Sequence, residues 1–375
     1  MCRIASVLLC CLLAVNVPAS ACSTFATQGS NGFIVGRNMD NGLPVAGLVL
    51  VNKRGVAKSA IPWATLAPSG ADTESIRWVS KYGSATMTAI GRDFPDGGMN
   101  EAGLVVEEMT LSQTVFPAAP RGSAMSQTQW IQYQLDNFAT VSEVLLHLDA
   151  VPQSGWGWHF LIADATGECI SLEFIDGQVV TGRDARISGC VLTNDTLSAS
   201  REHLSQFAGF GGSRGVPESR DSLARFVRAA AGLSRAVGTI AADDVAMGFE
   251  ILSSIDQGKN TLRSIVHEVT ARRFHFRTPK SPGVKFIDFS KVDFSRATPT
   301  LMLDIETDGA GDVTAALIPY TTDANRRIVK SFVQLIHLTD GAADIFKKDL
   351  ATAGLSEEQL VRMLTNHPET SIPPA

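Results

Sequence analysis

Cys22 stands directly behind Ala19-Ser20-Ala21, and Arg37 and Asp40 follow one turn later, in the stretch ASACSTFATQGSNGFIVGRNMD (19–40). Ala-Ser-Ala has the small-x-small form of a signal cleavage site. Cleavage after Ala21 would leave Cys22 with both a thiol and a free α-amine. An α-amine has an ordinary pKa of about 7.7–8.0, so it can take a proton near neutrality. A thiol is a strong nucleophile once deprotonated. One residue then holds nucleophile and base together, as an N-terminal nucleophile does. A guanidinium near the sulfur favours thiolate, and a carboxylate near the amine orients it. Arg37 and Asp40 supply those two charges.

A β-hairpin must bring them together. Residues 22–28 and 33–39 read as strands, and GSNG between them supplies turn residues that tolerate positive φ. A turn centred near Ser30 and Asn31 sets Cys22 opposite Met39, within one or two positions of Arg37 and Asp40. Their spacing is odd, so a regular strand points Arg37 and Asp40 to opposite faces. A bulge or bend near 38–40 is expected, or an Asp40 that reaches in from the strand end. Taken alone, the two residues also suit a structural ion pair at a hairpin end.

Residues 1–21 read as a cleaved secretory signal, with Arg3, an apolar core from Ile4 to Val15, and Pro18. That core is short of the ~20 residues a membrane span needs. The expected product is a soluble periplasmic or secreted protein. Two other readings stay open, an N-terminal core helix and lipidation of Cys22. For lipidation, Ala19 stands where Leu or a similar aliphatic is usual. Of the six cysteines, Cys2, Cys10 and Cys11 would leave with the signal. Cys22, Cys169 and Cys190 remain, an odd count that leaves at least one thiol unpaired within an oxidised chain. Cys169 and Cys190 can pair or stay as two buried thiols; spacing does not decide it.

The chain has 375 residues, 45% hydrophobic and 19% charged, enough for a large core. A net charge of −6 argues against nucleic acid as a partner. The seven histidines show no HExxH or clustered spacing, so neither a metal nor another cofactor is expected. GFGGSRG (209–215) lacks the Lys-Ser/Thr of a phosphate loop and reads as a mobile loop. Asn100 reads as a turn residue behind a Gly-Gly pair, and Glu107 and Glu108 carry no assigned role. Strands are expected in GMNEAGLVVEEMTL (98–111), WHFLIAD, ECISLEF, ARISGCVLTN, SIVHEVTA, RRFHFRT and VKFIDF. Helices are expected from Thr140, with Glu143 in a capping box, over 221–233 and 243–255, and after Ser356 with Gln359. Blocks of strands and helices, without strict alternation, indicate antiparallel sheets covered by helices, in one domain spanning 22–375.

Cys22 with its hairpin, GRNMD (36–40), GMNEAGL (98–104), VLTN (191–194) and ARFVR (224–228), in that order, resembles the choloylglycine hydrolase/penicillin V acylase family. The resemblance runs over roughly 22–290. It implies an α+β fold, a four-layer αββα sandwich of two antiparallel sheets, and hydrolysis of linear amides. It implies Cys22 as nucleophile, Arg37 and Asp40 beside it, Asn194 as oxyanion donor, and Arg225 completing the charged network. Alone, Asn194 suits a strand exit and Arg225 a solvated helix face. The bile-salt branch has an asparagine where this chain has Thr110, whose backbone N–H is then the remaining donor there. The resemblance is thus closer to the Gram-negative branch of penicillin V acylases and N-acyl homoserine lactone acylases. It implies a small-molecule amide with an apolar acyl group, and a homotetramer.

Overall fold

The structure is a computed structural model, described here for residues 22–61, 76–118, 124–155, 157–236, 243–339 and 342–371. The signal reading of residues 1–21 lies outside the described residues.

Alternation along the first hairpin sorts side chains into layers. Phe33, Val35 and Met39 point to one side of the Phe33–Asp40 strand, where they join Val49, Val51, Met87, Met99 and Val105. Ile34 points to the other side, against Phe226, Val227, Phe249 and Leu252 of two helices. The first sheet has seven strands. Its centre is Ser23–Gln28, Phe33–Asp40 and Thr261–Glu268, antiparallel throughout, and only its last pair is parallel. The second sheet has nine strands, with Val105–Thr110 between Gly97–Asn100 and Trp158–Ala163.

Helices Leu197–Leu204, Ser222–Ala236 and Asp244–Ser254 cover the outer face of the first sheet. Gln127–Asn137 covers the second with Trp130, Ile131 and Leu135. Thr322–Leu338 covers its far end through Ala324 and Ile328. The architecture is the expected αββα sandwich. Among the described residues no helix is long and apolar enough to cross a membrane.

Several elements differ from expectation. Only Cys190–Leu192 of ARISGCVLTN is extended. Asp184 accepts from the Arg186 N–H and turns the chain, and Gly189 at φ +126° lies where a Cβ would meet the Ala26 carbonyl. The helix after Thr140 has its capping box but stops at Leu146. The 209–215 loop is closed on itself by Ala208 N–H to Arg214 O and Arg214 N–H to Gln206 O, with Phe210 buried. The box at Ser356 and Gln359 is formed in both directions.

Cys169 and Cys190 form a disulfide with their Cα atoms 6.1 Å apart. Cys169 begins a strand of the second sheet and Cys190 a strand of the first, so the bond pins one sheet to the other. Closing a loop of this size removes unfolded-state entropy worth about 3 kcal/mol. Replacing both cysteines by alanine is expected to lower unfolding stability by roughly that amount, read by urea titration. A loss below ~0.5 kcal/mol would show that the packed core alone holds the sheets together.

Candidate active site

The hairpin is held from outside. The Asp244 carboxylate accepts the backbone N–H groups of Ser30 (2.9 Å), Asn31 (2.6 Å) and Gly32 (3.1 Å). A Cβ at Gly29 would lie 2.4 Å from that carboxyl carbon, which explains a glycine there. The turn sets Ser23 opposite Asn38 and so places Cys22 beside Met39, as the sequence predicts. Cys22 is buried between the sheets and lies outside the disulfide.

Arg37 also points between the sheets and is fully buried. Its Nη2 lies 3.9 Å from the Cys22 sulfur. The guanidinium is shared, however. Nη1 donates to Glu107 (2.8 Å) and to the Asp96 carbonyl (2.5 Å), and Nη2 donates to Glu108 (2.5 Å). Burial and the Glu108 charge push the Cys22 thiol above its ordinary pKa, against the pull of Arg37. Arg37 pulls toward the thiolate, as the sequence suggested, and burial with Glu108 outweighs that pull. The positive charge of Arg37 is shared with the carboxylates beside it.

Asp40 ends the strand and accepts a hydrogen bond from Thr261 Oγ1 (2.5 Å). No bulge interrupts 33–40, Asp40 stands at the strand end as the other alternative had it, and a register shift falls on the partner strand. Asp40 pairs with Thr261 and Met39 with Arg263, which leaves Leu262 as the extra residue. Burial raises the Asp40 carboxyl to about 7, although Thr261 and Arg225 act to lower it.

Arg225 is buried on the helix that covers this end of the sheet. Its Nη1 donates to the Cys22 carbonyl (2.7 Å) and to Ser23 Oγ. Its Nη2 donates to Asn194 Oδ1 (2.8 Å). Asn194 Nδ2 in turn donates to the Thr110 carbonyl (2.9 Å), and its backbone N–H to Ser222 Oγ (2.8 Å). Both ends of the carboxamide are thus oriented, its oxygen by Arg225 and its nitrogen by Thr110. Arg225 grips the backbone of Cys22, and its charge also acts on Asp40 and the Cys22 sulfur. Thr110 enters through its carbonyl, which accepts from Asn194. The structure brings Cys22, Arg37, Asp40, Asn194, Arg225 and Thr110 into one region.

No family model matches the sequence. The chain is 25% identical over 270 residues to the penicillin V acylase of Pectobacterium atrosepticum, a match covering 60% of this chain and 71% of that one. The structure of penicillin V acylase from Agrobacterium tumefaciens superposes with a TM-score of 0.66 at 25% identity, over 80% of this chain and 98% of that one. The chain is a homologue of penicillin V acylases. A mutant conjugated bile acid hydrolase from Clostridium perfringens shares the fold, with a TM-score of 0.63 at 17% identity, over 78% of this chain and 98% of that one.

In this penicillin V acylase homologue, sequence reasoning missed the charges behind the thiol. Arg263 donates to Asp96, and His267 Nε2 lies 2.6 Å from Glu107. Two arginines and three carboxylates therefore meet between the sheets, where a lone charge would be costly and only pairing makes burial tolerable. The available signal was the pair Glu107-Glu108 inside an otherwise apolar strand. The glycine pair before Asn100 was another. A Cβ at Gly97 would overlap the Glu107 carboxylate at 1.9 Å, so the glycine makes room for it. Asn100 itself is buried and joins the Leu135 and Phe138 carbonyls to the Gly103 and Leu104 N–H groups.

Burial raises Glu108 to about 7, with Arg37 opposing. An unfolded glutamate titrates near 4.3, so folding takes up a proton between those two values. This contribution is fully present below about pH 4 and is lost as pH rises through 7. Glu108→Gln removes the titration. Its unfolding temperature relative to wild type is expected to rise from pH 5 to pH 8, on the order of 2 kcal/mol in stability. Parallel Tm curves for the two proteins would contradict this.

Proposed function

We propose that the chain is an exported cysteine amidase that hydrolyses linear amides joining an apolar acyl group to a polar amine, with penicillin V acylase-like substrates first. The observation that carries it is the Arg225 clamp, which holds the Cys22 carbonyl at 2.7 Å and the Asn194 amide at 2.8 Å in one grip. It ties the candidate nucleophile to the candidate oxyanion donor. Homology to the two penicillin V acylases supports the reaction class. The disulfide supports export, because such bonds persist in oxidising compartments.

In this reading, removal of residues 1–21 frees the Cys22 amine. The amine takes the thiol proton, and the sulfur attacks the amide carbon. The oxygen that becomes negative is stabilised by the Asn194 amide and backbone N–H groups. The C–N bond breaks as the ammonium returns its proton to the leaving amine, and a thioester remains. Water, deprotonated by the same amine, attacks the thioester, releases the carboxylic acid and restores the thiol. Asp40 stands by the strand end to orient the ammonium, and its raised pKa is expected to fall once that positive charge is present.

Two measurements test the reading. Intact mass of the exported protein should begin at an unmodified Cys22; an added diacylglyceryl mass would instead mark a lipid anchor. A panel of phenoxyacetyl, bile-acid and long-chain acyl amides, homoserine lactones included, should show turnover of the phenoxyacetyl amide first. No turnover of any member by a correctly processed protein would sink the assignment.

A further inference from the structure

We propose that Glu108 is a positioning residue that sets, through Arg37, how strongly the protein stabilises a thiolate at Cys22. The contact geometry carries this. Arg37 Nη2 lies between the Glu108 carboxylate at 2.5 Å and the Cys22 sulfur at 3.9 Å. Two anions thus compete for one edge of one guanidinium.

The other two carboxylates on Arg37 are differently placed. Glu107 bonds His267 as well, and Asp96 bonds Arg263 as well. Among the described residues the Glu108 carboxylate has Arg37 as its one hydrogen-bond partner. It is therefore the member that can go neutral at least cost to the network. Its charged surroundings are Arg37 from the hairpin, Asp96 from the turn before Gly97, Glu107 from its own strand, and the thiol. The neighbouring strand sets Phe160 opposite it and brings no charge there. As a carboxylate, Glu108 competes for the guanidinium and repels a thiolate. As a neutral acid it leaves the positive charge to the sulfur. The raised pKa of Glu108 agrees with this, although the contacts stand without it.

Cys22 as nucleophile belongs to the proposed function, and the catalytic meaning of this inference rests on that reading. Alkylation of the thiol needs no turnover, so the two can fail separately. The processed protein is titrated with iodoacetamide across pH 5–10, and carbamidomethylation of Cys22 is followed by mass. Glu108→Gln keeps an oxygen for Arg37 and removes the charge. Its alkylation midpoint is expected to fall by about one pH unit, with alkylation at pH 7 roughly tenfold faster. Glu108→Asp keeps the charge and is expected to hold the wild-type midpoint. Should Glu108→Gln fail to fold, Glu108→Ala supplies the neutral variant. An unchanged midpoint in a folded neutral variant, or an equal fall in Glu108→Asp, overturns the proposal.

Discussion

Cys22→Ala is expected to fold normally and to lose at least about 10³-fold in kcat/KM on the best amide of the panel. In the proposed mechanism nucleophile and base act as one unit, and removing the nucleophile from such a unit leaves only what binding and the oxyanion donors contribute. The substitution keeps the α-amine, so the loss isolates the sulfur. Little destabilisation is expected, since alanine fits where cysteine sits buried without a disulfide. Cys22→Ser retains a hydroxyl that is a far weaker nucleophile near neutrality, and a small residual rate is expected from it. Activity near wild type in either variant, with the substituted residue verified by mass, would end the thiolate mechanism.

The second large effect concerns the clamp. Asn194→Ala is expected to lower kcat about 10²–10³-fold with KM little changed, the signature of an interaction made in the transition state. Arg225→Ala removes the donor to the Cys22 carbonyl, Ser23 Oγ and Asn194 Oδ1 together. It is expected to cost at least as much. If Arg225 acts by orienting Asn194, the double variant loses little beyond the worse single one, since coupled residues are not additive. Fully additive losses would separate the two roles. A rise in KM at constant kcat would make Asn194 a ground-state binder instead.

Much of this was legible in the chain. The hairpin register followed from a four-residue turn, and the order of short motifs pointed to the fold. What sequence could not supply was the far side of each contact. Asn194 and Thr110 are 84 positions apart, and Arg225 and Cys22 are 203 apart. Local pattern is silent on such pairs, so the part of the Thr110 carbonyl in holding Asn194 was not legible. The same limit applies to Arg37. Its nearness to Cys22 is a hairpin property and was readable, but its neutralisation depends on Glu107 and Glu108 from another sheet. Odd spacing left two outcomes open, a bulge near 38–40 or an Asp40 reaching in from the strand end; Asp40 does end its strand, and the register shift lies on the partner, at Leu262.

The Arg225 grip has one more consequence. It takes hold of Cys22 on the carbonyl side, away from the bond that processing would cut. Scission upstream would leave the Arg225 bonds to the Cys22 carbonyl, Ser23 and Asn194 in place. In the proposed mechanism, processing would act on a residue whose far side is already held. Copies retained before export would then be latent, without a proton acceptor at the sulfur.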